Sequence, residues 1–209
     1  MTFSVARFSE LRPYAYHLTA ASNLDAIRSQ RRLYSTTRLA QEANRSDLLT
    51  DRRKELETIA HPSLGTVVIR DQSPLFRGNI ELSEGFRFED VLADLNRRVF
   101  FWPGTDMGPI PHGMRHFGRY SDQIVAVIKV PYETLAEQNR IEYCRYNSGS
   151  PRCSGGMKSP RGPDTFQDLS AVAYSPSKVV ELTVRDSATL PEETTVARSP
   201  EGPWKPLFA

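Results

Sequence analysis

The stretch at residues 14–27, YAYHLTAASNLDAI, determines the fold that the sequence predicts. It opens with aromatic side chains and a threonine, a composition typical of a short β-strand. Ser22 or Asn23 can then cap a helix that begins at the next leucine and ends near Arg32. The stretch therefore predicts a strand, a tight turn and a helix. Thr19 and Asn23 lie where the strand end meets the helix N-terminus, a place where backbone donors collect.

His17 lies inside this predicted strand and has two interpretations. A lone histidine on a strand is commonly a core residue whose ring is hydrogen-bonded. The alternative is a functional role, and the strand by itself leaves both open.

Apolar runs along the rest of the chain predict further strands separated by helices. The predicted strands are residues 65–71, 99–102, 124–130 and 178–184, with 79–82 as a short strand or turn; the predicted helices are residues 36–59, 88–95 and 132–138. Residues 1–13 and the Pro-, Glu- and Thr-rich residues 185–209 are predicted to be irregular. This mixture predicts an α+β fold, with a core at about residues 14–184 of a single domain spanning 1–209.

Composition limits what the whole chain can do. Of 209 residues, 39% are hydrophobic and 25% are charged, which suits one globular domain or two small ones. The formal net charge is only +2, so bulk charge attracts the chain neither to nucleic acid nor to a membrane. Any basic surface must be local. The sequence shows no apolar leader and no transmembrane run, which predicts a cytoplasmic protein.

Two cysteines, Cys144 and Cys153, are predicted to be free thiols, although a disulfide between them is sterically feasible. A zinc site would need more Cys or His at ligand spacing, and only His112 and His116 are near enough. We do not expect a metal site. The common dinucleotide, P-loop, serine-hydrolase and metalloprotease motifs are also missing from the sequence.

A long stretch at residues 143–166, YCRYNSGSPRCSGGMKSPRGPDTF, is predicted to be a loop. Its Gly and Ser positions let backbone N–H groups approach a phosphate, and its basic side chains neutralise charge. Those side chains are Arg145, Arg152, Lys158 and Arg161. The alternative is a mobile, solvated insertion. Strand-like runs on both sides pin the loop to a sheet, which favours contact with an anion.

The opening motif resembles a known family. Tyr16-His17-Leu18-Thr19 followed by Asn23-Leu24 and Ile27 resembles the signature of DarT-like ADP-ribosyltransferases, in which a Y-H-x-T strand and N-L-x-x-I begin the NAD site. The later VFFWP and AVIKV runs are similar to two strands of transferases of the H-Y-E type. The likeness covers residues 14–184 in element order, and only the first motif matches residue by residue. It implies an ADP-ribosyltransferase-like split β-sheet core with a few short helices, and NAD as a substrate.

Carried over by position, the resemblance implies that His17 and Thr19 hold the nicotinamide ribose or amide, while Asn23 shapes the same pocket. It also implies an aromatic ring that stacks on nicotinamide, with Phe100, Phe101 and Trp102 as the candidates.

The family's helix arginine, which contacts the pyrophosphate and assists transfer, matches Arg52 or Arg53, with Arg70 as a competitor. NAD brings two phosphates that need such donors. The family's catalytic glutamate is expected in or just before the strand after the substrate loop. The matching region, residues 163–172, reads PDTFQDLSAV and has no Glu. Asp164 is the first choice there, and its alternative role is to cap a turn after Pro163.

The leading hypothesis is therefore an enzyme that transfers ADP-ribose from NAD to a nucleic-acid base in DNA or RNA. The basic loop side chains would contact phosphates and Tyr146 would stack on a base. Such an enzyme would suit a toxin or defence factor with an antitoxin or immunity partner. The alternatives are an inactive nucleotide- or RNA-binding module on the same fold, and a transferase acting on protein or a small molecule, including a relative that removes phosphate from RNA.

Overall fold

The structure, a computed structural model, describes residues 3–208 and combines helices with antiparallel sheets. The helices are α1 Val5–Leu11, α2 Leu24–Gln30, α3 Thr36–Glu42, α4 Phe88–Asn96, α5 Pro111–Gly118 and α6 Tyr132–Gln138. The first strands are β1 Tyr14–Ala20, β2 Arg32–Tyr34, β3 Glu57–His61, β4 Gly65–Ile69, β5 Ile80–Leu82, β6 Arg98–Thr105, β7 Gly108–Pro109 and β8 Val125–Pro131. The later strands are β9 Ile141–Cys144, β10 Ser159–Arg161, β11 Gln167–Asp168, β12 Glu181–Arg185, β13 Ser187–Thr189, β14 Thr195–Ala197 and β15 Lys205–Pro206. The α+β prediction is confirmed.

One antiparallel sheet organises the chain, in the order β11-β9-β12-β6-β1-β8-β14-β15, with β7 added to the end of β6. Strand β6 joins its two halves. Residues 102–104 of β6 pair with β1, whereas residues 98–101 pair with β12. The β1–β6 ladder ends at the pair Tyr16 and Trp102, and the two strands separate from that point. The sheet is therefore split between β1 and β6, and the split begins at His17.

The larger core lies on one face of this sheet, beneath α1 and α6. Phe8 is fully buried, with ring centres 4.7 Å from Tyr132 and 5.8 Å from Tyr143. The hydroxyl groups of the two tyrosines lie 2.6 Å apart, which pairs both polar ends inside the core. The prediction that residues 1–13 are irregular is wrong within the described residues 3–13, because α1 forms there. Ser4 caps α1 by accepting a hydrogen bond from the backbone N–H of Arg7, and burial of Phe8 secures the helix.

The predicted helix over residues 36–59 is wrong beyond its first seven residues. Helix α3 begins after the cap Ser35 and ends at Glu42. Asn44 then takes a left-handed φ of 55°, which stops a helix. The β-branched residues near 57–61 pair as β3 with β4.

Residues 185–209 were also predicted to be irregular, and within the described residues this is wrong. Strand β14 pairs with β8 in the main sheet, β15 pairs with β14, and β13 pairs with β2. Leu207 is 1% exposed and joins the larger core.

The remaining element predictions agree with the structure to within a few residues, although the strand predicted at 178–184 begins at Glu181. Within the long loop, β10 forms a short parallel pair with β5. Both thiols are free, with Cys144 buried and Cys153 exposed. No helix among residues 3–208 is long and apolar enough to cross a bilayer.

Candidate functional site

A cavity of about 250 Å³ opens where β1 separates from β6. We call it the split cavity. Its wall includes His17 from β1, Arg70 after β4, Trp102 from β6 and Glu181 from β12. The chain reversals of an antiparallel sheet thus bring together side chains that lie far apart in the sequence.

His17 is fixed by its backbone neighbour across the split. Its Nδ1 lies 2.8 Å from the carbonyl oxygen of Phe100, so Nδ1 carries a proton and donates it. Burial and, to a smaller extent, the charge of Arg70 lower the pKa of His17 to about 4, although the hydrogen bond to Phe100 opposes both. The ring is therefore neutral at physiological pH, and its Nε2 is an acceptor.

Glu181 is the carboxyl group of the split cavity, and it is 2% exposed. The backbone N–H of Ser148 lies 3.1 Å from both carboxyl oxygens, and the Ser148 hydroxyl also donates to Oε2. Burial raises the pKa of Glu181 to about 7, although the Ser148 hydrogen bonds and the charge of Arg161 favour the ionised form. Such a group can hold or release a proton near neutrality.

Asp164, the sequence candidate for this carboxylate, is exposed in a 3-10 turn and does not line the cavity. Sequence reasoning missed Glu181, although a signal was present. This glutamate interrupts the apolar run VVELTV at the head of β12, the second strand after the long loop. The glutamate was expected within residues 163–172, which end before that strand begins.

Arg70 brings positive charge to the split cavity. Its guanidinium carbon lies 3.6 Å from the centre of the Tyr120 ring. Nε and Nη2 are buried and have no hydrogen-bond partner within residues 3–208. Burial lowers the pKa of Arg70, while Tyr120 and Asp71 raise it. Buried, unpaired N–H donors at a cavity wall are suited to an anionic ligand.

Asp71 anchors this side of the cavity. Burial alone would raise its pKa, but hydrogen bonds from Ser73 and Tyr120, together with the charge of Arg70, lower it overall. The Tyr120 hydroxyl donates to Oδ2 over 3.0 Å. Asp71 thereby holds in place the ring on which Arg70 stacks.

The two other arginine candidates are committed to the protein backbone. Arg53 lines the cavity, but its Nε donates to the carbonyl of Arg70 and its Nη1 to Leu48 and Asn96. Burial lowers the pKa of Arg53 to about 10. Arg52 does not line the cavity, and it donates to the carbonyl of Leu75 over 2.8 Å. Of these three arginines, Arg70 is the one that presents buried free donors.

Of the aromatic candidates, Phe100 and Trp102 line the cavity and Phe101 does not. Successive side chains of a strand point to opposite faces, so Phe101 enters the larger core behind His17. The Trp102 ring stacks on His116 with centres 4.3 Å apart, and its Nε1 is another buried donor with no partner in the described residues.

Thr19 and Asn23 both line the cavity, as predicted. The Asn23 amide donates to the Val68 carbonyl over 2.9 Å and accepts from the Val68 N–H over 2.9 Å. It also donates to the Thr19 hydroxyl. Asn23 thus ties β4 to the end of β1 and sets the position of Arg70, which follows β4.

A family model described as a family of unknown function, DUF7002, matches residues 13–197. The chain belongs to the DUF7002 family. No curated protein and no solved structure matches it.

The long loop of this DUF7002 chain contributes to both the split cavity and a second one. The second cavity, of about 270 Å³, lies between α5 and the loop, and we call it the basic cavity. Its wall includes Arg145, Tyr146 and Arg152 from the loop. Lys158 is exposed and lies outside that wall.

The prediction that Arg161 is a free basic side chain of the loop is wrong, because Arg161 is only 2% exposed. Its Nη2 donates to the carbonyls of Asn147 and Ser148, and its Nη1 donates to Pro160 and Ser159. Backbone carbonyls within the loop bind this guanidinium, which therefore braces the loop in the shape that presents Ser148 to Glu181.

Tyr146 is also held by neighbours. Arg145 donates to its hydroxyl over 2.8 Å, and the guanidinium carbons of Arg145 and Arg161 lie 5.0 and 5.1 Å from its ring centre. These contacts favour a role in shaping the basic cavity.

Among residues 3–208, no three His, Cys, Asp or Glu side chains gather as they would around a metal ion.

Proposed function

We propose that this protein is an NAD-dependent ADP-ribosyltransferase whose acceptor is a nucleic acid. The observation that carries the proposal is the convergence of His17, Arg70 and Glu181 on the split cavity, at the end of the strand with the Y-H-x-T motif. The resemblance called for a histidine, an arginine and a glutamate around one NAD site. In this proposal Glu181 is the glutamate that residues 163–172 lack, and it opens β12, the second strand after the long loop.

Each of these groups has a part in the proposed reaction. Arg70 provides the unpaired donors that a pyrophosphate needs. The neutral ring of His17 accepts a hydrogen bond from a ribose hydroxyl through Nε2. Phe100 and Trp102 offer the aromatic surface for nicotinamide.

In the transfer step, the bond between the ribose carbon and the nicotinamide nitrogen breaks, and nicotinamide leaves with the electron pair. The carboxylate of Glu181 stabilises the positive charge that develops on the ribose. A nucleophilic atom of the acceptor forms the new bond to that carbon, and its proton passes to Glu181. A pKa near 7 suits a group that must be ionised before the step and protonated after it.

The binding-module alternative loses its main support, since it rested on the missing glutamate. The other alternative, a protein or small-molecule acceptor, is an outcome of the test below.

The test is to incubate the protein with NAD labelled in its adenylate portion, together with single-stranded DNA, RNA or bulk protein, and to follow the label. We expect label on a nucleic acid, with a loss of about 100-fold or more in Glu181→Gln, because removal of general-base or electrostatic catalysis costs about that much. His17→Ala should also lose transfer. Asp164→Asn is the matched control, since its carboxyl lies outside the cavity, and it should retain full transfer.

Transfer that is lost in Asp164→Asn and kept in Glu181→Gln would contradict the assignment of Glu181. Absence of both transfer and NAD consumption in the folded protein would overturn the enzyme proposal. Label on protein alone would overturn the nucleic-acid acceptor.

A further inference from the structure

The basic cavity is lined by several positively charged side chains. Four arginines and two histidines line it, and no Asp or Glu does. The arginines are Arg115 and Arg119 from α5 with Arg145 and Arg152 from the loop, and the histidines are His112 and His116. Because the formal net charge of the chain is only +2, this recess is a local field rather than part of a generally basic surface.

The arginines of the basic cavity have no carboxylate partner, unlike several other arginines of the surface. Elsewhere on the surface, Arg38 pairs with Glu42 and Arg140 pairs with Asp168. Within residues 3–208, none of the four arginines of the basic cavity forms an ion pair with a carboxylate. Arg145 donates to a tyrosine hydroxyl instead. The like charges of the cavity are therefore uncompensated by the protein.

Burial and neighbouring arginines lower the pKa values of the two histidines of the basic cavity. Burial lowers the pKa of His112, and the charges of Arg115 and Arg152 lower it further. Burial also lowers the pKa of His116, to about 3, and Arg70 and Arg119 contribute. Both rings are neutral at physiological pH, so the cavity holds guanidinium charge together with uncharged ring nitrogens.

The basic cavity adjoins the split cavity. His116, Asn147 and Ser150 line both, so they form the shared boundary. Ser148, which holds Glu181, lies between the two loop residues of that boundary. A ligand bound in the basic cavity thus lies next to the proposed reaction centre.

We propose that the basic cavity binds the phosphodiester backbone of a single-stranded nucleic acid and holds the acceptor strand beside the split cavity. Planar guanidinium groups match phosphate oxygens in a two-pronged geometry, and Asn147 and Ser150 add polar contacts. The recess has a volume of about 270 Å³, and a flexible single strand can fold its backbone into such a recess more readily than a rigid double helix can. Arg115 and Arg119 were not among the sequence candidates, because only the fold places α5 opposite the loop.

The site itself is inferred from charge and shape, and its role as the acceptor site rests on the proposed function. The test therefore measures binding in the absence of NAD. The probe is a short fluorescein-labelled oligothymidylate, followed by anisotropy over a range of salt concentrations. Its control is an oligomer of the same length and bases with an uncharged methylphosphonate backbone.

We expect the phosphodiester oligomer to bind with a slope of log K against log salt of about −2 to −3, since three or four phosphate contacts each contribute about −0.7 on a single strand. The methylphosphonate oligomer should bind far more weakly. The double variant R115A/R152A should lose about 10-fold in affinity at low salt and reduce the slope by about 1.4. Both side chains are exposed, so the variant should fold. The matched control is Arg198→Ala, which removes an exposed charge outside both cavities and should match the wild type.

Equal binding of the two oligomers, or equal slopes for R115A/R152A and the wild type, would overturn the assignment. So would displacement of the oligomer by a short polyglutamate as effectively as by unlabelled oligothymidylate, because that result would identify an acidic peptide as the ligand. If the oligomer binds as expected but label transfer from NAD fails, the binding site stands and the proposed function falls. If transfer to nucleic acid occurs and R115A/R152A leaves it unchanged, the proposed function stands and the acceptor role of the basic cavity falls.

Discussion

At Glu181, burial and hydrogen bonding act on the carboxyl group in opposite directions. Burial favours the protonated acid, whereas the two donors of Ser148 and the charge of Arg161 favour the anion. The result is a pKa of about 7 against an ordinary value of 4.5. The Glu181 side chain can therefore exchange a proton near neutral pH, but its raised pKa lowers the free energy of unfolding at that pH.

The cost predicts a stability profile. Between pH 4.5 and about 7 the folded protein retains a proton on Glu181 that the unfolded chain has released, so the contribution of this pKa shift to folding falls as pH rises through that window and is constant above it. Glu181→Gln has no such loss. The free energy of unfolding of the variant minus that of the wild type should rise by about 3 kcal/mol from pH 4.5 to 7. Urea titrations at several pH values measure this difference, and parallel profiles would contradict the assigned pKa.

Single residues also show which parts of the candidate site the sequence could predict and which it could not. The Y-H-x-T and N-L motifs led to His17, Thr19 and Asn23, and all of them line the cavity. Glu181 was not predicted as a site residue because two 3-10 turns, at 169–171 and 176–178, place the strand that carries it further along the chain than expected. Arg161 was assigned to solvent because composition cannot show that backbone carbonyls will bind a guanidinium.

At the scale of elements, α5 is the piece that joins the two cavities, and Gly113 lets it approach β6. A Cβ atom at Gly113 would lie 2.9 Å from the Cβ and Cγ atoms of Trp102 and 2.8 Å from the Cβ atom of Pro109. That close approach brings His116 into its stack on Trp102. The helix could not keep this position with a larger residue.

Gly113→Ala should therefore destabilise the protein by about 1–3 kcal/mol, the usual cost of overpacking, despite the better helix propensity of alanine. Gly118→Ala provides the matched control in the same helix, because a Cβ at Gly118 meets nothing within 4 Å. It should be neutral or stabilise by up to about 1 kcal/mol. Thermal unfolding of both variants tests this pair, and equal effects at the two positions would remove the packing argument.

Elements with a strong local pattern were predictable, and elements that depend on distant partners were not. Strand β4 and helices α4 and α6 follow directly from apolar periodicity and agree with their predicted positions. Strand β3 was hidden in a charged run, and its pairing with β4 is what makes it a strand. Helix α1 depends on burial of Phe8 against Tyr132 and Tyr143, whose proximity no local pattern shows.

For the whole molecule, the sheet is completed by residues that the sequence assigned to an irregular tail. Strand β14 covers the free edge of β8, and Leu207 fills the core beneath it. The Pro, Glu and Thr content of residues 185–209 hid this role. The outermost strand of the sheet is β15, and an edge strand tolerates a proline where a central strand would not.

Leu207→Ala should cost about 2–5 kcal/mol of unfolding free energy, as for other fully buried leucines. Leu56→Ala is the matched control, since Leu56 is 40% exposed and the same change should stay within about 0.5 kcal/mol. Chemical denaturation of the two variants measures both values. A small effect at Leu207 would show that the C-terminal strands contribute little to the stability of the sheet.

The boundary shared by the two cavities also sets a thermodynamic rule. His116, Asn147 and Ser150 each touch both spaces, and the loop segment between the latter two fixes Glu181. Because the two spaces share this wall, we expect their two binding equilibria to be coupled. Such coupling is reciprocal. If a ligand in one cavity changes the dissociation constant of a ligand in the other by some factor, the second ligand changes the dissociation constant of the first by the same factor. If both proposed ligands bind, we expect the loop to make their binding cooperative, of either sign.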